Sequence, residues 1–150
     1  MSRHFWIASL AVALTLVGCA VASNSAALQI ARQGGAPATL FGPTKFTLGI
    51  SDLLMTARLK NNSDKPIKSY RIGWAYVLRN GVQFHAGAEL NVPAGIRPSE
   101  TCEVPDQTIP LNLNAERVIF FVAELTFADG SRWKANNEDI WPTAALKIPR

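Results

Sequence analysis

From residue 45 onward, apolar and polar residues alternate along the chain. Leu53, Met55, Ala57 and Leu59, for example, occupy every second position of one segment. Because successive side chains of a β-strand point to opposite faces, this period of two predicts strands that bury one face. No segment after residue 23 has a sustained apolar stripe at helical spacing, so the domain is predicted to be all-β.

The alternation defines the strands of the predicted domain. They lie at residues 46–50, 53–60, 70–79, 82–89, 101–109, 118–127 and 131–134. In the strand at 118–127, Val118, Phe120 and Val122 make the second face apolar as well, which predicts a central strand. Pro105 cannot donate to a sheet ladder, so the strand at 101–109 is predicted to be an edge strand or to be bulged.

Turn residues separate these strands. Asn80-Gly81 and Asp129-Gly130 stand between apolar runs, as in tight β-hairpins. Residues 61–66 form a turn by composition, since Asn, Asp and Ser side chains bond their own backbone and Pro restricts φ. Loops are expected at 91–99, which is rich in Pro and Gly, and at 110–116.

The fold class that follows is an antiparallel immunoglobulin- or fibronectin-like sandwich of about seven strands. Trp74 lies in the middle of the strand predicted at 70–79, but no pair of cysteines flanks it as in antibody domains. The predicted sandwich covers residues 45–135. Residues 23–44, rich in Ser, Ala, Gly and Pro, are predicted to be a tether that contains a short first strand around Leu28 and Ile30, and residues 136–150 an irregular tail.

The first 22 residues are predicted to be a signal peptide that begins as a helix. Thirteen uncharged residues, 5–17, match the apolar region of an export signal and are too few to cross a bilayer. Leu16-Val17-Gly18-Cys19 resembles the bacterial lipobox, in which the cysteine sulfur receives a diacylglycerol before cleavage. Two alternatives remain, namely ordinary cleavage after Ala20-Val21-Ala22 and an uncleaved anchor extending to Ala22.

The charge of the chain is unevenly distributed. The formal net charge is +4, with nine basic and three acidic residues in 32–97 and five basic and eight acidic residues in 98–150. A basic patch attracts anionic lipid, cell-wall polymer or nucleic acid, and it equally forms a solvated surface. Export and the lack of an Arg/Lys stripe interleaved with aromatics argue against nucleic acid.

The mature chain has few residues suited to catalysis or metal binding. It contains one histidine, His85, and Cys102 has no partner if Cys19 is acylated or removed, so Cys102 is expected to be a buried free thiol. His85 is expected on the outer face. Glu100, Glu103 and Asp106 lack the spacing of a calcium loop and indicate a solvated acidic edge. No zinc set, hydrolase elbow, P-loop or dinucleotide motif is present, so neither an enzyme nor a cofactor or metal site is expected.

Two segments resemble known proteins. Residues 59–74, with the Asn-rich turn in their middle, look like the strand–turn–strand of bacterial extracytoplasmic β-sandwich domains, and Phe127-Ala128-Asp129-Gly130-Ser131-x-Trp133 is similar to a hairpin of uncharacterised bacterial exported immunoglobulin-like proteins. The resemblance implies a sandwich fold and an envelope location, and it brings no catalytic residue.

Trp133 and Trp141 are the candidate ligand-binding residues. Exposed tryptophans bind sugar rings or partner proteins, whereas a tryptophan beside a hairpin also packs onto its sheet. The sequence therefore leads to two hypotheses for an extracytoplasmic protein that is membrane-anchored by lipid, or periplasmic or secreted. One is a non-enzymatic module that binds an envelope protein or polymer, and the other is a carbohydrate- or peptidoglycan-binding accessory domain.

Overall fold

A computed structural model describes residues 27–49 and 51–140, without the side chains of 43–46 and 48. The predicted signal peptide with Cys19, and residues 141–150 with Trp141, lie outside these described residues. The fold is all-β and consists of two sheets. Its strands are β1 (Ala27–Ile30), β2 (Ala38–Leu48), β3 (Asp52–Asn61), β4 (Ile67–Leu78), β5 (Gly81–Ala86), β6 (Leu90–Ile96), β7 (Thr101–Pro110), β8 (Arg117–Phe127) and β9 (Arg132–Lys134).

The larger sheet has six strands built around the β4–β8 pair. On the far side of β4, β5 pairs with its second half and β6 with its first half. On the far side of β8, β1 pairs with its beginning and β9 with its end. The apolar run in β8 therefore belongs to a central strand, as its sequence predicts.

The smaller sheet contains β2, β3 and β7, with β3 in the middle. The burial of β3 alternates strictly from Leu53 to Leu59, which confirms the period-two prediction. β7 is an edge strand whose register against β3 shifts between Val104 and Gln107. The bulge and the edge position predicted from Pro105 are thus both present, because this residue has no N–H for a regular ladder.

One strand pair departs from the predicted antiparallel arrangement. β1 runs parallel to β8, with Ala27 opposite Arg117 and Ile30 opposite Phe120. The chain then crosses to the other sheet through residues 31–37 and begins β2. A parallel pair needs such a crossover rather than a hairpin, and the strand alternation alone does not reveal its direction.

Two segments expected to be irregular are strands. Residues 38–44, assigned to the tether, form the first half of β2, and Gly42-Pro43 lies in a register shift between Phe41 and Lys45. Residues 91–96, assigned to a loop, belong to β6, which contains Pro93. Both strands lie at sheet edges, and both prolines fall in register shifts, where no regular ladder bond requires their N–H.

The hairpin expected at Asn80-Gly81 is present, shifted by one residue. Leu78 pairs with Gly81, so the two loop residues are Arg79 and Asn80, and Gly81 opens β5 with a φ of 151°. The second hairpin turns through residues 128–130, where Gly130 has a φ of 83° that suits glycine.

The main core lies between the two sheets. Its buried side chains come from both, and the largest of them include Met55, Leu59, Tyr70, Ile72 and Phe120. This shared core joins the sheets as the two layers of one domain.

A second buried cluster covers the outer face of the six-stranded sheet. Ile119 and Phe121 of β8 lie in it together with Ile140. Residues 137–140 form a helical turn after Asn136, whose side-chain oxygen accepts a 3.1 Å hydrogen bond from the Glu138 N–H. The expectation of an irregular tail from residue 136 is therefore wrong for these residues, because capping and burial of Ile140 order them.

Candidate functional site

Trp133 lies on β9, opposite Leu125 of β8. It is half-buried and packs against the main core, so the packing interpretation describes it better than that of a free aromatic platform. Its predicted companion Trp141 and the predicted lipid-attachment residue Cys19 lie outside the described residues. Within the described residues, the main role of Trp133 is therefore to pack β9 against the core.

The structure does not bring Cys102 and His85 together. Cys102 lies on β7, half-buried, beside Tyr70. His85 lies on β5, in the other sheet, where it contacts Trp74 and Tyr76. Burial raises the pKa of the Cys102 thiol, and the hydrogen bond with Tyr70 only partly offsets this, so the nucleophilic thiolate is disfavoured.

The acidic residues near β7 have separate partners. Asp106 accepts a 3.0 Å hydrogen bond from the Thr56 hydroxyl, and Glu100 accepts a 2.8 Å bond from the Arg97 N–H. The Arg97 main-chain and side-chain donors lower the pKa of the Glu100 carboxyl. No group of three or more candidate metal ligands occurs within residues 27–49 and 51–140.

A groove of about 460 Å³ opens where the chain crosses between the sheets. It is formed by the end of β1, the crossover and the first half of β2. Its apolar wall includes Ile30, Leu40 and Phe41, and the exposed Arg32 lies at its rim. A concave, mainly apolar surface with few polar groups is the usual form of a ligand site.

Two contacts hold the walls of this groove. Gln33 inserts its side-chain amide into the edge of β8, donating to the Val122 carbonyl at 2.9 Å and accepting from the Val122 N–H at 2.8 Å. The Arg58 guanidinium lies 4.9 Å above the Phe41 ring and donates to the Gly42 carbonyl at 2.8 Å. These contacts fix both sides of the groove in the unliganded protein.

An aromatic cluster formed by Trp74, Tyr76 and His85 lies at the β4–β5 edge of the six-stranded sheet. The Trp74 and His85 rings stack at 5.6 Å with an interplanar angle of 14°, and Tyr76 meets His85 edge-on at 5.3 Å. His85 is opposite Trp74 in the strand register. Tyr76 belongs to the main core and Trp74 packs against it, so His85 lies on the face of the sheet that is turned toward the smaller sheet. Its predicted outer-face location is therefore wrong, although its side chain is exposed.

Polar groups of the aromatic cluster connect it to the smaller sheet. The Tyr76 hydroxyl donates a hydrogen bond to the carbonyl oxygen of Pro110 at the end of β7. Burial raises the pKa of this phenol, partly offset by the nearby Trp74 indole. Trp74 Nε1 is itself buried and faces this hydroxyl outside ideal hydrogen-bonding geometry, so it belongs to the interior of the cluster and is not open to a ligand.

Sequence reasoning missed both the groove and the aromatic cluster. The hairpin signal at residues 80 and 81 does place β5 beside β4, but with these two residues as the loop Trp74 would pair with Gly87. The shifted hairpin puts Trp74 opposite His85, so the predicted register does not give the cluster. The groove was not predictable either, because it depends on the parallel placement of β1 and on the extent of β2.

No helix among the described residues combines the length and apolar character needed to span a bilayer. No protein-family model, curated protein or solved structure matches the chain.

Proposed function

We propose that this protein is a non-enzymatic binding module of the bacterial cell envelope, with an immunoglobulin-like sandwich anchored to a membrane through lipid on Cys19. The lipobox directly after the apolar segment supports export and anchoring. The two-sheet architecture with a shared core supports the immunoglobulin-like assignment. The separation of His85 from Cys102 supports a binding role over catalysis.

The observation that supports a binding role most directly is the groove beside the crossover. Its volume of about 460 Å³ falls within the range of ligand pockets, and its walls are held by hydrogen bonds before any ligand arrives. A preformed apolar wall reduces the ordering cost of binding. The exposed Arg32 at the rim adds a charge that orients a polar or acidic part of the partner.

Site-specific photocrosslinking in living bacteria tests this role. A photoreactive amino acid in place of Arg32 should give a discrete adduct with an envelope component. The same substitution at Lys68, which is exposed on β4 and does not line the groove, is the matched control. Equal adduct formation at both positions, or none at Arg32, would contradict binding in the groove.

A variant that fills the groove tests whether formation of the Arg32 adduct depends on the groove itself. Gly34 lines the groove, and a Cβ built on it meets no atom within 4 Å. The Gly34→Trp substitution should therefore fold normally and abolish the Arg32 adduct. Its unfolding temperature serves as the control for folding.

The second candidate function is carbohydrate or peptidoglycan binding, which the aromatic cluster favours. Aromatic rings stack on sugar rings, and His85 is the exposed member of this cluster, where its ring and its nitrogens can meet a sugar. Sedimentation with purified peptidoglycan tests it, with His85→Ala expected to reduce retention. Gln83→Ala, an exposed change on the same strand, is the control, and unchanged retention in His85→Ala rejects the hypothesis.

A further inference from the structure

The start of β1 and three connections between strands lie at one end of the sandwich. Ala27 lies here and donates its N–H to the carbonyl of Glu116. Three connections lie at the same end, namely the turn around Gly49 and Ser51, the hairpin loop at Arg79 and Asn80, and the loop at 111–116. Two main-chain hydrogen bonds join them, from the Leu111 N–H to the Ser51 carbonyl and from the Glu116 N–H to the Val77 carbonyl. We call this set of residues the Ala27 end.

The Ala27 end carries an exposed apolar side chain. Leu113 is 83% exposed, and it is the large hydrophobic residue that stands out in this respect among the described residues. The loop that carries it is ordered by Asn112, whose carbonyl accepts from the Ala115 N–H at 3.0 Å and whose side chain accepts from the Asn114 N–H at 3.0 Å. Leu113 is therefore held at the tip of a defined turn.

Covalent geometry limits how far this end can be from the predicted lipid. Residues 20–26 separate Cys19 from Ala27, and a fully extended chain of that length spans at most about 25 to 30 Å. β8 has 11 residues, so the sandwich measures roughly 35 Å along its strands. If the opposite end faced the membrane, Ala27 would lie farther from the lipid than this connection reaches.

We propose that the Ala27 end faces the bilayer and that Leu113 inserts into the lipid interface. The inference rests on the proposed lipid anchor at Cys19 and adds the orientation of the domain on the membrane. An apolar side chain at the tip of a turn transfers favourably into the interfacial region. Arg79 in the neighbouring loop has a side chain that is 93% exposed, and its Nε lies 3.6 Å from Glu116 Oε1. Such an exposed ion pair is weak, so lipid phosphates compete with Glu116 for the guanidinium.

This orientation has a consequence for ligand access. The turn at 61–66 and the hairpin at 128–130 are at the opposite end, because Ile67 pairs with Phe127 there and Leu78 pairs with Gly81 at the Ala27 end. The first half of β2 begins opposite Asn61, so the groove lies toward the end of the domain that is away from the bilayer. Its partner would then approach from the aqueous side.

Fluorescence quenching by lipids tests the orientation on the intact lipidated protein. In a Cys102→Ala background, Leu113→Cys and Asp64→Cys each receive a thiol-reactive environment-sensitive dye, and each protein is reconstituted into phosphatidylcholine–phosphatidylglycerol vesicles containing nitroxide-labelled lipid. The label at 113 should shift to the blue and lose fluorescence, whereas the label at 64 should not. Equal quenching at both positions, or quenching at 64 alone, would overturn the proposal.

Two further measurements separate the causes of failure. The intact mass establishes whether Cys19 carries a diacylglyceryl group. The absence of this group would overturn the anchor and the orientation together. A lipidated protein without quenching at 113 would overturn the orientation alone.

A dye on Asn114→Cys reports on Leu113 itself. Quenching at 114 should fall when Leu113→Asn is added, and unchanged quenching would reject insertion of Leu113.

Discussion

The side-chain Nδ2 of Asn61 donates a 2.8 Å hydrogen bond to the main-chain carbonyl of Ile96, which lies in the other sheet. The same nitrogen donates to the Lys65 carbonyl at 2.8 Å, and Oδ1 accepts from the N–H and the hydroxyl of Ser63. Asn61 is fully buried. One amide thus closes the 61–66 turn and joins the end of β3 to the end of β6.

Replacing Asn61 should destabilise the domain strongly. Asn61→Ala leaves the buried Ile96 carbonyl without its donor and removes part-buried bonds to the Lys65 carbonyl and the Ser63 N–H, so we expect the free energy of unfolding to fall by about 2 to 3 kcal/mol. Urea unfolding measures it. Asn62→Ala is the control, because Asn62 is exposed and its side chain bonds to Thr39 alone in the described residues; similar losses in both variants would contradict a special role for Asn61.

Gln33 should contribute to stability by completing the β8 edge. Gln33→Ala leaves the N–H and the carbonyl of fully buried Val122 unpaired, so a loss of about 2 kcal/mol is expected from urea unfolding. Gln83→Ala serves as the control at an exposed position. Hydrogen exchange offers a second readout, since the Val122 amide should lose protection in Gln33→Ala and keep it in the control.

Gly73 should not accept a side chain. A Cβ at this position would lie 2.4 Å from the Phe121 ring, which is itself buried. Gly73→Ala is therefore expected to lower the free energy of unfolding by about 1 to 3 kcal/mol. Gly34→Ala, with open space around the new Cβ, should be neutral or slightly stabilising, since alanine restricts the unfolded chain. Equal effects would show that Phe121 moves away without cost.

Trp133 should affect stability more than ligand binding. It is half-buried against the core, so Trp133→Ala should cost about 2 kcal/mol of unfolding free energy, while peptidoglycan retention per folded molecule stays unchanged. Trp133→Phe is the matched control that keeps an aromatic ring. A loss of retention with unchanged stability would instead restore Trp133 as a ligand-binding residue.

The turn-to-turn ion pair should make stability depend on acidic pH. Lys65 Nζ lies 2.6 Å from Asp129 Oδ2, and this contact, with donors from Ser131, holds the pKa of the Asp129 carboxyl well below its ordinary value of 3.8. Its contribution is therefore complete above the ordinary pKa and is lost as the pH falls through the lowered one.

Asp129→Asn tests this dependence. Because the pair is exposed, the effect on Tm should be small. The decline of Tm below about pH 4 should be shallower in the variant than in the unmodified protein. Parallel declines in thermal unfolding across acidic pH would show that other carboxylates dominate.

The strongest strand predictions came from segments in which local pattern and tertiary burial agree. Leu53 to Leu59 alternate in the sequence and in burial because β3 has a neighbour on each side and one face on the core. The apolar positions of β8 predict a central strand because apolar side chains on both faces require cover on both. Pro105 predicts the edge and the bulge because a missing N–H is a local covalent property.

The edge strands β2 and β6 could not be predicted in full from the local pattern. Gly42-Pro43 and Pro93 have the composition of loops, yet β2 and β6 contain them. Pairing with β3 and β4 supplies enough hydrogen bonds and buried area to outweigh weak local strand preference. The candidate site depends on these same strands, so the groove was beyond the reach of the sequence pattern.

The sequence by itself determined the all-β class, the presence of the two hairpins and the central place of β8. These features follow from side-chain alternation, turn chemistry and apolar content, which are local along the chain. The tertiary structure decided the parallel β1–β8 pair, the stacking of Trp74 on His85, the groove beside Gln33 and the gathering of Leu113 with Ala27 at one end. Each of these joins residues distant in sequence, and such pairings are selected by the global packing of the sheets, which no local pattern encodes.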